Sequence, residues 1–197
     1  MIIKIILLSL AAYLIGSINF SIIISKAKNI DIKKVGSGNA GATNMTRALG
    51  KKMGVLVFFL DFFKGVFPCL VARILNAGDY TIIVGLFVVI GHIFPLYYGF
   101  KGGKGVSTTF GAIATVNIWC ALILGVLELV LIKTTKIVSI STLLAFILLP
   151  LTMLLLNFGY NYLNVYISGL YTILVIFSHR SNIKKLLNGT ENSFKKQ

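Results

Sequence analysis

The chain has 197 residues, 57% of them apolar and 12% charged, with 19 lysines and arginines against 5 acidic residues. That composition excludes a soluble domain of useful size and describes a single integral-membrane bundle over residues 1–197. In so apolar a chain the basic excess fits positive-inside topology and anionic substrates or membrane lipid, not nucleic acid.

Residues 5–24 form an apolar run of the length that crosses a bilayer. Lys4 gives it a basic start, as in a signal peptide, but the run is long for an h-region and ends in Ser25-Lys26 without a small-residue cleavage site. Gly16, Ser17 and Ser21 suit close helix packing. Residues 26–52 are strongly basic, which predicts a cytoplasmic segment and an external N-terminus.

Within that segment stand Gly36-Ser37-Gly38-Asn39-Ala40-Gly41-Ala42-Thr43-Asn44 and then Arg47. Little of this can form a buried face. Ser37, Asn39, Thr43 and Asn44 supply donors for phosphate oxygens, and the glycines, Gly38 among them, free backbone N–H groups for the same task. A helix starting at Ala42 would aim its dipole at that anion, with Arg47 about one turn on and its planar fork suited to phosphate. A Gly/Ser/Asn linker with Ser37 or Thr43 as an N-cap is the plainer alternative.

Residues 54–75 are the second span. Asp61 and Lys64 are three apart on one helical face, and an intramembrane salt bridge accounts for both. The turn Asn76-Ala77-Gly78-Asp79 has no basic residue and reads as external. Residues 80–98 return to the cytoplasm, with His92 near the inner end as either a buried structural histidine or a ligand contact. They deliver Lys101-Gly102-Gly103-Lys104-Gly105, glycines interleaved with two lysines. Such a loop can turn backbone N–H groups and ammoniums toward one phosphate. It is not a Walker loop, because Gly105 stands where the Mg²⁺-binding hydroxyl would be.

Residues 106–132 are followed by Lys133 and Lys136, and residues 140–156 and 162–177 surround an uncharged turn at 157–161 that reads as an external tip. Both later basic segments are cytoplasmic only if 106–132 crosses an even number of times. The expectation is therefore two short helices, each of about a dozen residues, turning near Thr115-Val116-Asn117. The fold predicted is all-α: a polytopic bundle of seven transmembrane helices, the fourth and fifth short, with an external N-terminus and a cytoplasmic C-terminus. Glu128 has no evident partner in the sequence. Ser139, Ser141 and Thr142 open the sixth span, and His179-Arg180-Ser181-Asn182 follow the seventh, all on the cytoplasmic side of this topology. The serines read as N-caps or ligands, and His179 and Asn182 share a helical face. Cys69 and Cys120 lie in apolar runs, and the two histidines are far apart without supporting carboxylates, so neither a disulfide framework nor a metal site is expected.

Three stretches resemble the signature motifs of the bacterial acyl-phosphate:glycerol-3-phosphate acyltransferase family: GSGNAGATNMTRALG (36–50), GHIFPLYYGFKGGKGVSTTFG (91–111) and HRSNIKKLLNGTEN (179–192). YLIGSINFS in the first span and DFFKG at 61–65 extend the likeness over most of the chain; Asn19 stands where that family is expected to carry proline. The resemblance implies a seven-helix inner-membrane enzyme with a cytosolic site and no metal or cofactor. It would transfer a fatty acyl group from acyl phosphate to the 1-hydroxyl of sn-glycerol 3-phosphate. Ser37, Gly38, Asn39, Thr43 and Asn44 would hold acyl phosphate. Arg47, Lys101, Gly102, Gly103, Lys104, Ser139, Ser141, His179 and Asn182 would hold glycerol 3-phosphate. Ser37, Arg47, His179 and Asn182 would be catalytic. His179 either orients the hydroxyl or takes its proton, and the substrate's own phosphate is the rival base. With no carboxylate near His179 in the sequence, positioning is the favoured role. The enzyme that makes acyl phosphate is a candidate partner. A small transporter or binding protein for phosphate esters is the alternative, but the external turns offer no basic group to receive an anion.

Overall fold

The structure, a computed structural model, describes residues 1–156 and 161–193. Regular structure among them is helical throughout, as the composition predicts. The chain packs as two compact units, Met1–Val116 and Asn117–Gln197.

In the first unit, α1 (Ile2–Gly16) and α2 (Phe20–Ala27) belong to one apolar stretch of 26 residues. The stretch breaks at Asn19, whose side-chain oxygen accepts the Ile22 N–H at 3.0 Å and so caps α2. A loop over 28–41 leads into α3 (Ala42–Leu49), and after Gly50 come α4 (Lys51–Ile74), α5 (Thr81–Ile93) and α6 (Val106–Val116). Helices meet here at backbone contact. A Cβ on Gly16 would overlap the Val88 carbonyl oxygen, and one on Gly91 that of Tyr13, which joins α1 to α5. Gly65 against Thr108 and Gly111 against Phe62 do the same for α4 and α6. Cations complete two helix ends: Lys4 donates to the carbonyls of Leu75 (2.6 Å) and Asn76 (3.2 Å), and Arg73 to that of Thr115 (2.8 Å). The buried cluster Ile22, Ile32, Ala40, Met45 and Val57 seats the 28–41 loop on α2, α3 and α4.

The second unit holds α7 (Ile118–Thr135), α8 (Val138–Ile147), α9 (Leu149–Leu155), α10 (Tyr162–Ser178) and α11 (Arg180–Leu187). Asn117 caps α7 by accepting the Cys120 N–H at 3.0 Å. Glu128 of α7 does have a partner, the hydroxyl of Thr142 on α8, and Thr172 of α10 donates to the Phe146 carbonyl of α8 at 2.8 Å. Hydrogen bonds of this kind are what hold helices together where lipid offers no hydrophobic gain.

Among the described residues, five helical stretches are long and apolar enough to cross a membrane, or six if α10 and α11, bent by 59°, count as one span. The segment 106–132 does divide, at Asn117. Its first half, α6, is short at 11 residues, but the fifth segment is not: α7 runs 18 residues, to Thr135. Lys133 does not end it, because a lysine stem can lie along an apolar helix and lift its ammonium to the interface. Most of the turn at 157–161 lies outside the described residues.

Candidate active site

The glycine-rich first loop is built around one amide. Asn44, fully buried in the first turn of α3, accepts the Ser37 N–H at 2.8 Å and donates to the carbonyls of Ile32 (3.0 Å) and Val35 (2.9 Å). Gly36 adopts φ +60° beside it, and a Cβ there would overlap the Asn44 amide oxygen, so the turn closes only with glycine. Both Asn44 donors are thereby committed. In this arrangement Asn44, expected as an anion donor, shapes the loop. The helix that follows begins at Gly41 without a side-chain cap, which leaves first-turn N–H groups to a ligand. Around that start lie Ser37, Gly38, Asn39 and Thr43, all half-buried, and the side chains of Ser37, Asn39 and Thr43 make no hydrogen bond among the described residues. One turn on, Arg47 carries a buried Nε with no hydrogen-bond partner among the described residues.

The second loop departs from expectation. The N–H groups of Gly102 and Gly103 donate to the carbonyls of Ile93 and His92, each at 3.1 Å, and so close the C-terminal end of α5. They do not form a phosphate nest, because helix-end carbonyls in apolar surroundings take the nearest donors. Of the loop's two lysines, Lys101 is exposed and Lys104 half-buried. The two loops touch, since a Cβ on Gly103 would lie 2.7 Å from the Ala40 carbonyl oxygen. Beneath them the Asp61–Lys64 pair forms at 3.0 Å, joined by His92, whose Nδ1 is 2.9 Å from Lys64 Nζ.

In the second unit, the hydroxyl of Ser141 donates to the Ile137 carbonyl at 2.9 Å and pairs with Thr135 at 3.0 Å. It is therefore neither an N-cap nor an uncommitted donor. Ser139, nearby at the start of α8, has a buried hydroxyl without a partner. His179 is buried at the corner between α10 and α11, with Nδ1 2.8 Å from the Val175 carbonyl. That contact favours the tautomer in which Nδ1 holds the proton and Nε2 the lone pair. Asn182 donates to Glu191 Oε1 at 2.8 Å.

Sequence reasoning overlooked Asn19 as a cap, though an Asn before an apolar run is a helix-start signal. It also overlooked Glu191 as the partner of Asn182; nothing in their spacing announces that pair. Chemically, the first unit offers an uncapped helix start, hydroxyls and cations for phosphate, and the second offers an oriented imidazole.

A family model described as glycerol-3-phosphate acyltransferase matches residues 6–189. Among similar curated proteins, the glycerol-3-phosphate acyltransferase of Shouchella clausii is 43% identical over 100% of this chain and 99% of its own. That of Aquifex aeolicus is 42% identical over 97% of this chain and 100% of its own. A crystal structure of PlsY, an integral membrane glycerol 3-phosphate acyltransferase, in its glycerol 3-phosphate form superposes with a TM-score of 0.91 at 41% identity, covering 97% of this chain and 96% of that one.

Proposed function

The chain belongs to the glycerol-3-phosphate acyltransferase family, and from that premise we propose that it moves a fatty acyl group from acyl phosphate to the 1-hydroxyl of sn-glycerol 3-phosphate. One observation carries this: two anion-ready segments, the uncapped start of α3 and the loop ending in Lys104, meet at Ala40 and Gly103. Two substrates that each bear a phosphate call for such a pair. The hydroxyl oxygen attacks the acyl carbon, the bond from that carbon to the phosphate oxygen breaks, and inorganic phosphate leaves. The hydroxyl proton passes to a base, and the products are lysophosphatidic acid and phosphate. A mixed anhydride is already activated, so the protein supplies placement and charge stabilisation without a covalent intermediate.

Ser37, Asn39 and Thr43, with first-turn N–H groups of α3, hold acyl phosphate and its departing phosphate. Arg47 and Lys104 are assigned to the phosphate of glycerol 3-phosphate, and Lys101 gathers anions. In the second unit, His179, Asn182 and the hydroxyl of Ser139 are proposed as substrate contacts. The lysine distribution supports seven crossings of a bacterial plasma membrane, an external N-terminus and a site on the cytoplasmic side. The enzyme that makes acyl phosphate is the natural partner.

Purified protein in detergent, given acyl phosphate, acyl-CoA and acyl-carrier protein in parallel without added metal, tests the donor. Transfer from acyl phosphate alone is expected. Transfer from a thioester with none from acyl phosphate would overturn the donor assignment.

A further inference from the structure

Asp61 and Lys64 could neutralise each other as a pair on one helix. The structure adds more than neutrality requires. Lys64 Nζ pairs with Asp61 Oδ1 at 3.0 Å, donates to the Ile18 carbonyl at 2.7 Å and lies 2.9 Å from His92 Nδ1. His92 Nδ1 also lies 3.5 Å from Asp61 Oδ1, so the three side chains close on one another. Asp61, Lys64 and His92 are 2%, 5% and 3% exposed, so removing one member leaves an uncompensated polar group at depth.

The added partners belong to the segments that carry the loops. The Nε2 edge of His92 faces Gly103, where a Cβ would overlap it, and the Gly103 N–H donates to the His92 carbonyl at 3.1 Å. On the other side, Asn19 follows Ile18 and donates from Nδ2 to the Ala40 carbonyl at 3.4 Å. One buried triad is thus tied through Ile18 and Asn19 to the first loop and through His92 to the residue before Lys104.

We propose that Asp61, Lys64 and His92 form a positioning centre that sets Gly103, and with it Lys104, against the Ala40 end of the first loop. The grip on glycerol 3-phosphate then depends on a triad that touches no substrate. This rests on Lys104 holding that phosphate, as proposed above.

Two-substrate kinetics in lipid nanodiscs, with acyl phosphate and glycerol 3-phosphate, test it on four variants: Lys64→Met, Asp61→Asn with Lys64→Met, Lys104→Ala, and the last two combined. The neutral double variant leaves no unpaired charge, so it carries the test if Lys64→Met does not fold. It is expected to raise KM for glycerol 3-phosphate about tenfold or more while KM for acyl phosphate stays within about twofold. In the Lys104→Ala background it should add nothing further, because both changes act through one ammonium. Nitrogen-15 NMR of the two histidines should show His92 locked in one tautomer, a signature altered in Lys64→Met. Equal effects on both KM values, or an effect that adds to Lys104→Ala, would make the triad structural only and overturn the proposal. A Lys104→Ala enzyme with unchanged KM for glycerol 3-phosphate would sink the assignment of Lys104 itself; a Lys104 effect without a triad effect removes the triad alone.

Discussion

At Asn44 both amide hydrogens go to loop carbonyls and the oxygen takes the Ser37 N–H, so the residue holds the 28–41 loop in shape. Its type was legible in the sequence, its direction was not: an amide points inward or outward according to where the loop closes, and that closure depends on Gly36 and on Ile32 and Val35 upstream. Ser37, Asn39, Thr43 and Arg47 stand out in the sequence because no buried helical face uses that mixture. His179 was legible by its place after an apolar run, and its geometry sharpens the choice between base and positioner. Its Nδ1 rests on the Val175 carbonyl, which orients the ring and turns the Nε2 lone pair outward from that bond. His179→Ala is accordingly expected to raise KM for glycerol 3-phosphate by about tenfold or more and to leave the acidic limb of the pH–rate profile in place. A collapse of kcat together with loss of that limb would make His179 the base.

Helix packing follows from where the glycines fall. Gly65 and Gly111 let α4 and α6 meet at backbone contact, and an added methyl has only carbonyl oxygens and main-chain nitrogen to displace. Gly65→Ala and Gly111→Ala are each expected to cost about 1–3 kcal/mol, the usual range for overpacking, read as a fall in the melting temperature of the detergent-solubilised protein. Gly169 on α10 has open space where a Cβ would go, so Gly169→Ala should hold or raise that temperature. Identical responses at all three positions would remove the close-approach account. The existence of these helices was plain from their apolar runs, and the break at Asn117 was plain from the charge parity of the flanks. The length of α7 was misjudged because Lys133 looked like a boundary. The Glu128–Thr142 contact was invisible because it joins two helices, and sequence spacing says nothing of which faces meet.

Across the molecule, the order of basic and uncharged connections is the basis of the proposed orientation, and the three long motifs pointed to the family. What no motif could announce is how the loops are built: one wraps a buried amide, the other closes a helix end, and the two touch over the Asp61–Lys64–His92 centre. The proposed cradles for the two phosphorylated substrates thus share a wall at Ala40 and Gly103. Steady-state kinetics of Thr43→Val and Lys104→Ala, each measured against both substrates, test that claim most directly. Thr43→Val should raise KM for acyl phosphate about tenfold with KM for glycerol 3-phosphate unchanged, and Lys104→Ala should do the reverse. If both variants shifted the same KM, or neither shifted any, the two-cradle account would be contradicted.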